Sequence, residues 1–245
     1  MIQITGLHKS YKNNKALRGV DLEFSQSGIV AVLGPNGSGK TTLMKCILGL
    51  TLFKEGNIYV DDTDIQGQFE YRKLISHLPQ VASFPENLTP DELIRMIKDL
   101  RPGVTNEKKF IKLFELGAEM HKKMSTLSGG NKQKVNLLLS LMYDNPILIL
   151  DEPTSGLDPL AIINLKSYLK DEKKKGKMIL VTTHIMSFAE ELADHVVFLL
   201  DGKIYFDGSM QSLMLKQQSD SLEMAIATIL KANIPALKTI KSSAV

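Results

Sequence analysis

Apolar and polar positions follow two rhythms along this chain, and the change between them divides it. Over Met1–Thr5 and Val20–Phe24 the two kinds of residue alternate, the pattern of strands with one wet face. Gly28–Leu33 is a continuous apolar run instead, which predicts a central strand covered on both sides. A glycine-rich turn follows, then a helical stretch over Lys40–Leu48, and Ile58–Val60 reads as a further strand. From about Ser83 to Asn145 strand signals are few and amphipathic helices take over. Thr89, Pro90 and Glu92 predict one helix start: an N-cap, a proline at the first helical position, and a glutamate three residues after the cap. Arg101, Pro102 and Gly103 predict its end. The window from Gly130 to Tyr143 reads as a partly buried helix. Two more apolar runs, Pro146–Leu150 and Lys177–Thr182, flank a helix that starts at Asp158 and Pro159. Strand, helix and strand in alternation imply a parallel sheet with right-handed crossovers. Val196–Leu200 and Lys203–Phe206 flank Asp201-Gly202, a hairpin turn, and the chain from Gln211 onward is mostly helical.

Composition narrows this only a little. With 43% hydrophobic and 23% charged residues among 245, the chain is that of an ordinary globular protein with a substantial core. No period of roughly 20–50 residues repeats, against solenoids and propellers. No apolar run reaches the roughly 18–20 residues of a membrane-spanning helix, and the first residues lack the basic and apolar segments of a signal peptide. The single cysteine, Cys46, excludes an intramolecular disulfide, fits a reducing cytoplasm and is expected to be buried and inert. A formal charge of +3 is too small to imply a nucleic-acid partner. The basic run Lys173–Lys175, Gly176 and Lys177 reads as a solvated helix end. Met120, His121 and Met124 lack the spacing of a metal cage and read as packing or surface residues.

The candidate chemistry is more specific. Gly34, Pro35, Asn36, Gly37, Ser38, Gly39, Lys40 and Thr41 fit G-x-x-x-x-G-K-[ST] between a buried strand and a helix, with Thr42 beside them. Glycines there let backbone N–H groups turn inward around a β-phosphate. Lys40 brings charge to the β- and γ-phosphates, and the Thr41 hydroxyl is placed to ligate Mg²⁺. The pattern predicts a nucleoside triphosphate site. Asp151 and Glu152 end the apolar strand 147–150, where side chains face the ligand crevice of such a sheet. Asp151 can hold Mg²⁺ through water, and Glu152 can act as general base on the attacking water. An acidic pair at a strand end also caps helices; the neighbouring phosphate loop is what gives this pair its chemical meaning.

Leu127, Ser128, Gly129, Gly130 and Asn131 stand about one helix and one strand ahead of Asp151–Asp158. In this order the motifs resemble those of the ATP-binding-cassette (ABC) ATPases, whose signature reads LSGGQ, and the resemblance covers roughly residues 2–208. It implies an α/β fold: a P-loop NTPase core with a mostly parallel sheet, an N-terminal antiparallel β-subdomain and an inserted α-helical subdomain. The expected organisation is an ABC ATPase domain over 1–210, with the helical subdomain at about 83–144, and a C-terminal helical tail over 211–245. The resemblance also implies roles. Tyr11 would stack on adenine, Gln80 would sense Mg²⁺ and the attacking water, His184 would contact the γ-phosphate, and Asp158 would cross a dimer interface. On the residues alone, Tyr11 as a surface aromatic and His184 as a structural histidine remain open. Ser128, Gly129 and Gly130 open a helix and so form a second anion site, which the resemblance assigns to a partner's ATP in a head-to-tail homodimer. Asn131 replaces the usual glutamine, keeping the amide but losing a methylene; altered coupling is expected, not lost activity.

ATP and Mg²⁺ are therefore the expected substrate and cofactor. Chromosome-maintenance members of the family split their motifs around a coiled coil, and translation-associated members carry two cassettes in one chain; neither pattern is present. What is left is the ATP-hydrolysing subunit of a transporter, cytoplasmic and peripheral on the inner membrane face through separate permease subunits. Ser76–Leu88 and Leu127–Val135 look like the copper-processing ATPases of nitrous oxide reductase maturation. The alternatives are ATPase subunits of drug, lipid or peptide exporters and, less favoured, a soluble regulatory ATPase acting on nucleic acid; no nucleic-acid partner is expected. Val81, Ala82, Phe84 and Pro85 make an unusually apolar connection, which predicts a permease-facing surface with Phe84 as its anchor. The plainer alternative packs Phe84 into its own subdomain.

Overall fold

The computed structural model describes residues 1–25 and 27–242, the segment 233–242 as helical backbone. β1 (Ile2–Tyr11) and β2 (Asn14–Phe24) pair antiparallel. Both run longer than the alternation suggests, because register shifts after Ile4, Leu7 and Lys9 break the period of two. β3 (Gly28–Leu33) opens a second sheet and leads into α1 (Lys40–Ile47). β4 (Glu55–Val60) and β5 (Thr63–Asp64) return to the first sheet and complete its order, β2-β1-β4-β5.

β6 (Ile75–Leu78) is short and partly polar, and it lies at the edge of the second sheet. Three helices follow: α2 (Pro90–Leu100), α3 (Glu107–Leu113) and α4 (Gly129–Leu141). The remaining elements are β7 (Ile147–Asp151), α5 (Pro159–Lys174), β8 (Met178–Thr182), α6 (Met186–Leu192), β9 (His195–Leu200), β10 (Lys203–Ser209), α7 (Met210–Lys216) and α8 (Leu222–Ser242). The second sheet has the order β10-β9-β3-β8-β7-β6, parallel throughout except for the β9–β10 hairpin. β3, β7 and β8 are buried at every position, as continuous apolar runs require. Along β3, Val30 and Val32 join a core shared with α1 and the antiparallel sheet. Ile29 packs in a cluster with α5 and the helices α2–α4, and Ala31 and Leu33 pack in one with α6 and α8.

The start of α2 shows both halves of a capping box: Glu92 N–H donates to Thr89 Oγ1 at 3.3 Å, and Thr89 N–H donates to Glu92 Oε2 at 2.8 Å. Phe84 is half-buried and packs with Leu88 against the helical core, so it is not the exposed anchor its apolar surroundings suggest. Val81, at 81% exposure, is the large apolar residue that this connection presents. Phe84→Ala is accordingly expected to cost roughly 2 kcal/mol of stability through lost packing. Urea denaturation measures it, and an unchanged midpoint would mean that Phe84 contributes nothing to the core.

The basic run that closes α5 is only partly a solvated end. Lys173 pairs with Asp194, Lys174 with Asp171 and Lys175 with Glu172. Lys177 is buried and meets both Asp144 and the buried Glu172. Burial raises Glu172, but the ammonium groups of Lys175 and Lys177 outweigh it and hold its carboxyl below the usual range. After α7, Leu222, Ala225 and Ile226 seat the start of α8 against Val196 and Phe198, and Glu190 Oε1 accepts from Leu222 N–H at 2.8 Å. No helix among the described residues is long and apolar enough to cross a membrane.

Candidate functional site

The turn from β3 into α1 is built by glycine. Gly34 has φ 152°, and a Cβ there would lie 2.1 Å from Leu199 O. Gly39, the N-cap of α1, has φ 111°, and its Cβ would lie 2.6 Å from Ala16 O. A side chain at either position meets neighbouring backbone, so only glycine lets the loop lie this close to β2 and β9. The β9–β10 hairpin turn braces it from behind, with Gly202 N–H donating to Ser38 O at 2.9 Å. Ser38 Oγ is buried without a hydrogen-bond partner.

Lys40 is buried, and its Nζ donates to Gly34 O at 2.7 Å and Pro35 O at 3.2 Å. Burial pulls its ammonium below the ordinary lysine range, partly opposed by the carboxylates of Glu152 and Asp151. Two loop carbonyls thus hold the charge at the mouth of the phosphate loop, and an incoming polyphosphate is a better partner for it. Tyr11, Asn36, Gly37, Gly39, Lys40, Thr41, Thr42, Gln80, Asp151 and Glu152 line one polar cleft of about 380 Å³.

Asp151 and Glu152 are both buried at the end of β7. Thr182, on the adjacent β8, donates its hydroxyl to Asp151 Oδ1 and accepts from Glu152 N–H at 3.0 Å. Glu152 is one of the few non-glycine residues at positive φ, 51°, which turns its side chain out of the strand direction. His184 Nδ1 lies 2.8 Å from Glu152 Oε2, so His184 stands beside the acidic pair although its side chain is largely exposed. The oxygen donors in the cleft, from Thr41, Gln80 and Asp151, form the hard set that Mg²⁺ takes and leave out the thiolate and imidazole groups preferred by softer metals. Those three residues could hold the ion. Glu152 could then take a proton from water.

The remaining predicted residues lie outside this cleft. Ser128 is the N-cap of α4, its Oγ accepting from Asn131 N–H at 3.2 Å, and Gly129 and Gly130 form the first helical turn. Asn131 takes part in the cap through its backbone. Asp158 caps α5, Oδ1 accepting from Ala161 N–H at 2.8 Å, and its Oδ2 lies 2.6 Å from Lys134 Nζ. The Lys134 ammonium, with the Ala161 N–H, holds the Asp158 carboxyl below its usual range.

Besides Thr182, two further residues at the site carry little signal in the sequence. Asn136 is buried on α4 and donates to Pro79 O at 3.2 Å, which ties this helix to the residue before Gln80. Its signal was a lone amide in the apolar run 135–139. Lys134 carried no signal, being one lysine among many. Tyr11 is exposed, with the Lys9 ammonium 4.6 Å from its ring centroid. Cys46 is buried, and burial pushes its thiol up to about 11. Met120 and Met124 are buried packing residues, and no metal-binding cluster of His, Cys, Asp or Glu occurs among the described residues.

A phosphate loop after β3 of a mostly parallel sheet, with an acidic pair at the end of β7 on the far side of β8, defines a P-loop ATPase. The family profile described as ABC transporter matches residues 17–155, and the chain belongs to that family. It is 32% identical over 233 residues to the uncharacterized ABC transporter ATP-binding protein YxlF of Bacillus subtilis (strain 168), covering 92% of this chain and 77% of YxlF. It is 30% identical over 244 residues to the glutamate/aspartate import ATP-binding protein GltL of Escherichia coli (strain K12), covering 94% and 100%. Among solved structures, an ATP-binding subunit of an ABC transporter superimposes with TM-score 0.85 at 28% identity, covering 94% of this chain and 99% of that one. A dimeric post-hydrolysis state of the cassette MJ0796 bound to ADP and Pi gives TM-score 0.76 at 26% identity, covering 86% and 99%. As a member of this family the chain is an ATPase that uses ATP with Mg²⁺.

Proposed function

We propose that this chain energises a transporter from the cytoplasmic face of the membrane. Two copies would sandwich two ATP molecules head to tail and dock on separate permease subunits. The observation that carries the sandwich is the position of Ser128–Asn131. They form an anion-competent helix start outside the cleft that holds the chain's own phosphate loop. Gly129 adds to it: nothing lies within 4 Å of where its Cβ would be, although glycine in a helix costs stability relative to alanine. Such an undemanded glycine fits close approach by something outside the chain.

In this reading Tyr11 stacks on adenine, and Lys40 with the N–H groups of the loop 34–39 holds the phosphates. Thr41, Gln80 and Asp151 hold Mg²⁺, Glu152 is the base, and His184 senses the γ-phosphate. Ser128–Asn131 and Asp158 serve the partner's nucleotide. The family membership supports a permease partner in general; relatives serve different cargoes by name, GltL glutamate/aspartate import and SrtF of Streptococcus pyogenes lantibiotic transport. The narrower reading, copper processing for nitrous oxide reductase, is supported by the likeness of Ser76–Leu88 and Leu127–Val135 to that group.

Affinity purification of the tagged chain from detergent-solubilised membranes tests the general reading. An integral membrane protein in stoichiometric amount is the expected result, and none after mild solubilisation would overturn it. A strain lacking the chain that still assembles copper-loaded nitrous oxide reductase would overturn the narrower reading and leave the other exporters.

A further inference from the structure

Tyr11 stands at the turn of the β1–β2 hairpin, paired across it with Asn14. The register skips Ala16 between the pairs Lys9–Leu17 and Ser10–Lys15, and Ala16 joins Tyr11 and Asn14 in lining the polar cleft. A tyrosine 44% exposed at a hairpin end has little around it to select one ring orientation. Its hydroxyl reaches Thr51 Oγ1 at 3.4 Å, too far to fix the ring alone.

Lys9 supplies the second restraint. It is half-buried and does not line the cleft. Its ammonium donates to Leu52 O at 2.6 Å and lies 4.6 Å from the centroid of the Tyr11 ring. The ring is therefore backed by a cation whose own position is fixed. Thr51 and Leu52 follow the end of α1, and that end is itself tied down. Leu50 N–H donates to Lys45 O at 2.8 Å, and Arg72 Nη2 donates to Gly49 O at 2.9 Å. One helix thus carries Lys40 and Thr41 at its start and, just past its end, the anchor for the cation behind Tyr11.

We propose that Lys9 is a positioning residue for the nucleobase, holding the Tyr11 ring in place from outside the cleft. This rests on the reading above in which Tyr11 stacks on adenine. Lys9 touches no nucleotide. It orders the ring before ATP arrives, so binding does not bear the cost of immobilising it. The effect belongs to ligands that carry a base, and it leaves the phosphate contacts and the chemical step as they are.

The test is steady-state hydrolysis by the full-length protein, with inorganic tripolyphosphate as the base-free competitor. Lys9→Met keeps the length of the side chain and removes the charge. It should raise KM for ATP about fivefold at unchanged kcat. The inhibition constant of tripolyphosphate should match wild type. Lys9→Arg should restore KM, because a guanidinium also stacks on an aromatic face and donates to a carbonyl. In a Tyr11→Ala background Lys9→Met should add nothing further, since Lys9 acts through the ring. If Lys9→Met does not fold, Lys9→Gln, which keeps a donor for Leu52 O without the charge, carries the test with the same expected direction. A wild-type KM in a folded variant overturns the proposal. So does an equal weakening of tripolyphosphate, which would make Lys9 a charge acting on the phosphates. Failure of the stacking reading looks different: Tyr11→Ala then binds ATP as wild type does, whereas a weakened Tyr11→Ala beside an unaltered Lys9→Met removes only the role of Lys9.

Discussion

Glu152→Gln is expected to keep ATP binding and to lower hydrolysis by on the order of 10²-fold or more. The substitution preserves shape and removes only the proton acceptor. Lys40 and the glycine loop, which would hold the phosphates, are untouched, and the backbone anchor of residue 152 on Thr182 involves its N–H and not its side chain. The charge change is also tolerable locally, because His184 beside Glu152 is largely exposed and can turn to water. With hydrolysis blocked, the ATP-bound sandwich should persist, so light scattering with ATP and Mg²⁺ should show a dimer where the nucleotide-free protein is monomeric. Hydrolysis near the wild-type rate would remove Glu152 as the base. A strictly monomeric variant at high concentration would mean that the isolated chain does not close without its permease.

The parts of the fold that could be read in advance are those in which local pattern and burial coincide. β3, β7 and β8 are apolar at successive positions because both faces are covered, and a continuous run survives any uncertainty of register. The α2 capping box and the Asp201-Gly202 turn were legible because each is a contact over a few residues. The alternation covers only the first half of β1 because bulges disrupt it further on, and bulges follow from pairing with β2 and β4, which pattern does not contain. The same limit applies at the site. The phosphate loop is contiguous in sequence and was fully legible. Thr182, Lys134 and Asn136 act across 31, 24 and 57 positions respectively, on Asp151, Asp158 and Pro79, and their partners exist only once the sheet and α4 are assembled. Phe84 failed for a related reason: an apolar connection looks exposed until the helical cluster beneath it is in place.

Two glycine substitutions should separate what the chain needs for itself from what it needs for a partner. Gly34→Ala places a Cβ 2.1 Å from a backbone oxygen of β9 at a positive φ that alanine rarely adopts, and neither obstacle can be relieved by a side-chain rotation. The loop must move off β9, so ATP binding should be lost and stability should fall by about 2 kcal/mol or more. Gly129→Ala meets nothing within the chain, and alanine is the better helix former, so the melting temperature should hold or rise slightly. ATP binding in EDTA should also hold, because Gly129 is not part of the cleft that holds the phosphate loop. Steady-state hydrolysis should nevertheless drop by about tenfold or more, because the added methyl stands where a partner's phosphates would approach the N–H groups of α4. Thermal melts, ATP titrations and turnover on the two variants decide the matter together. A Gly129→Ala protein that hydrolyses ATP at the wild-type rate would mean that nothing comes close to that face of the helix, and the second nucleotide of the sandwich would lose its site.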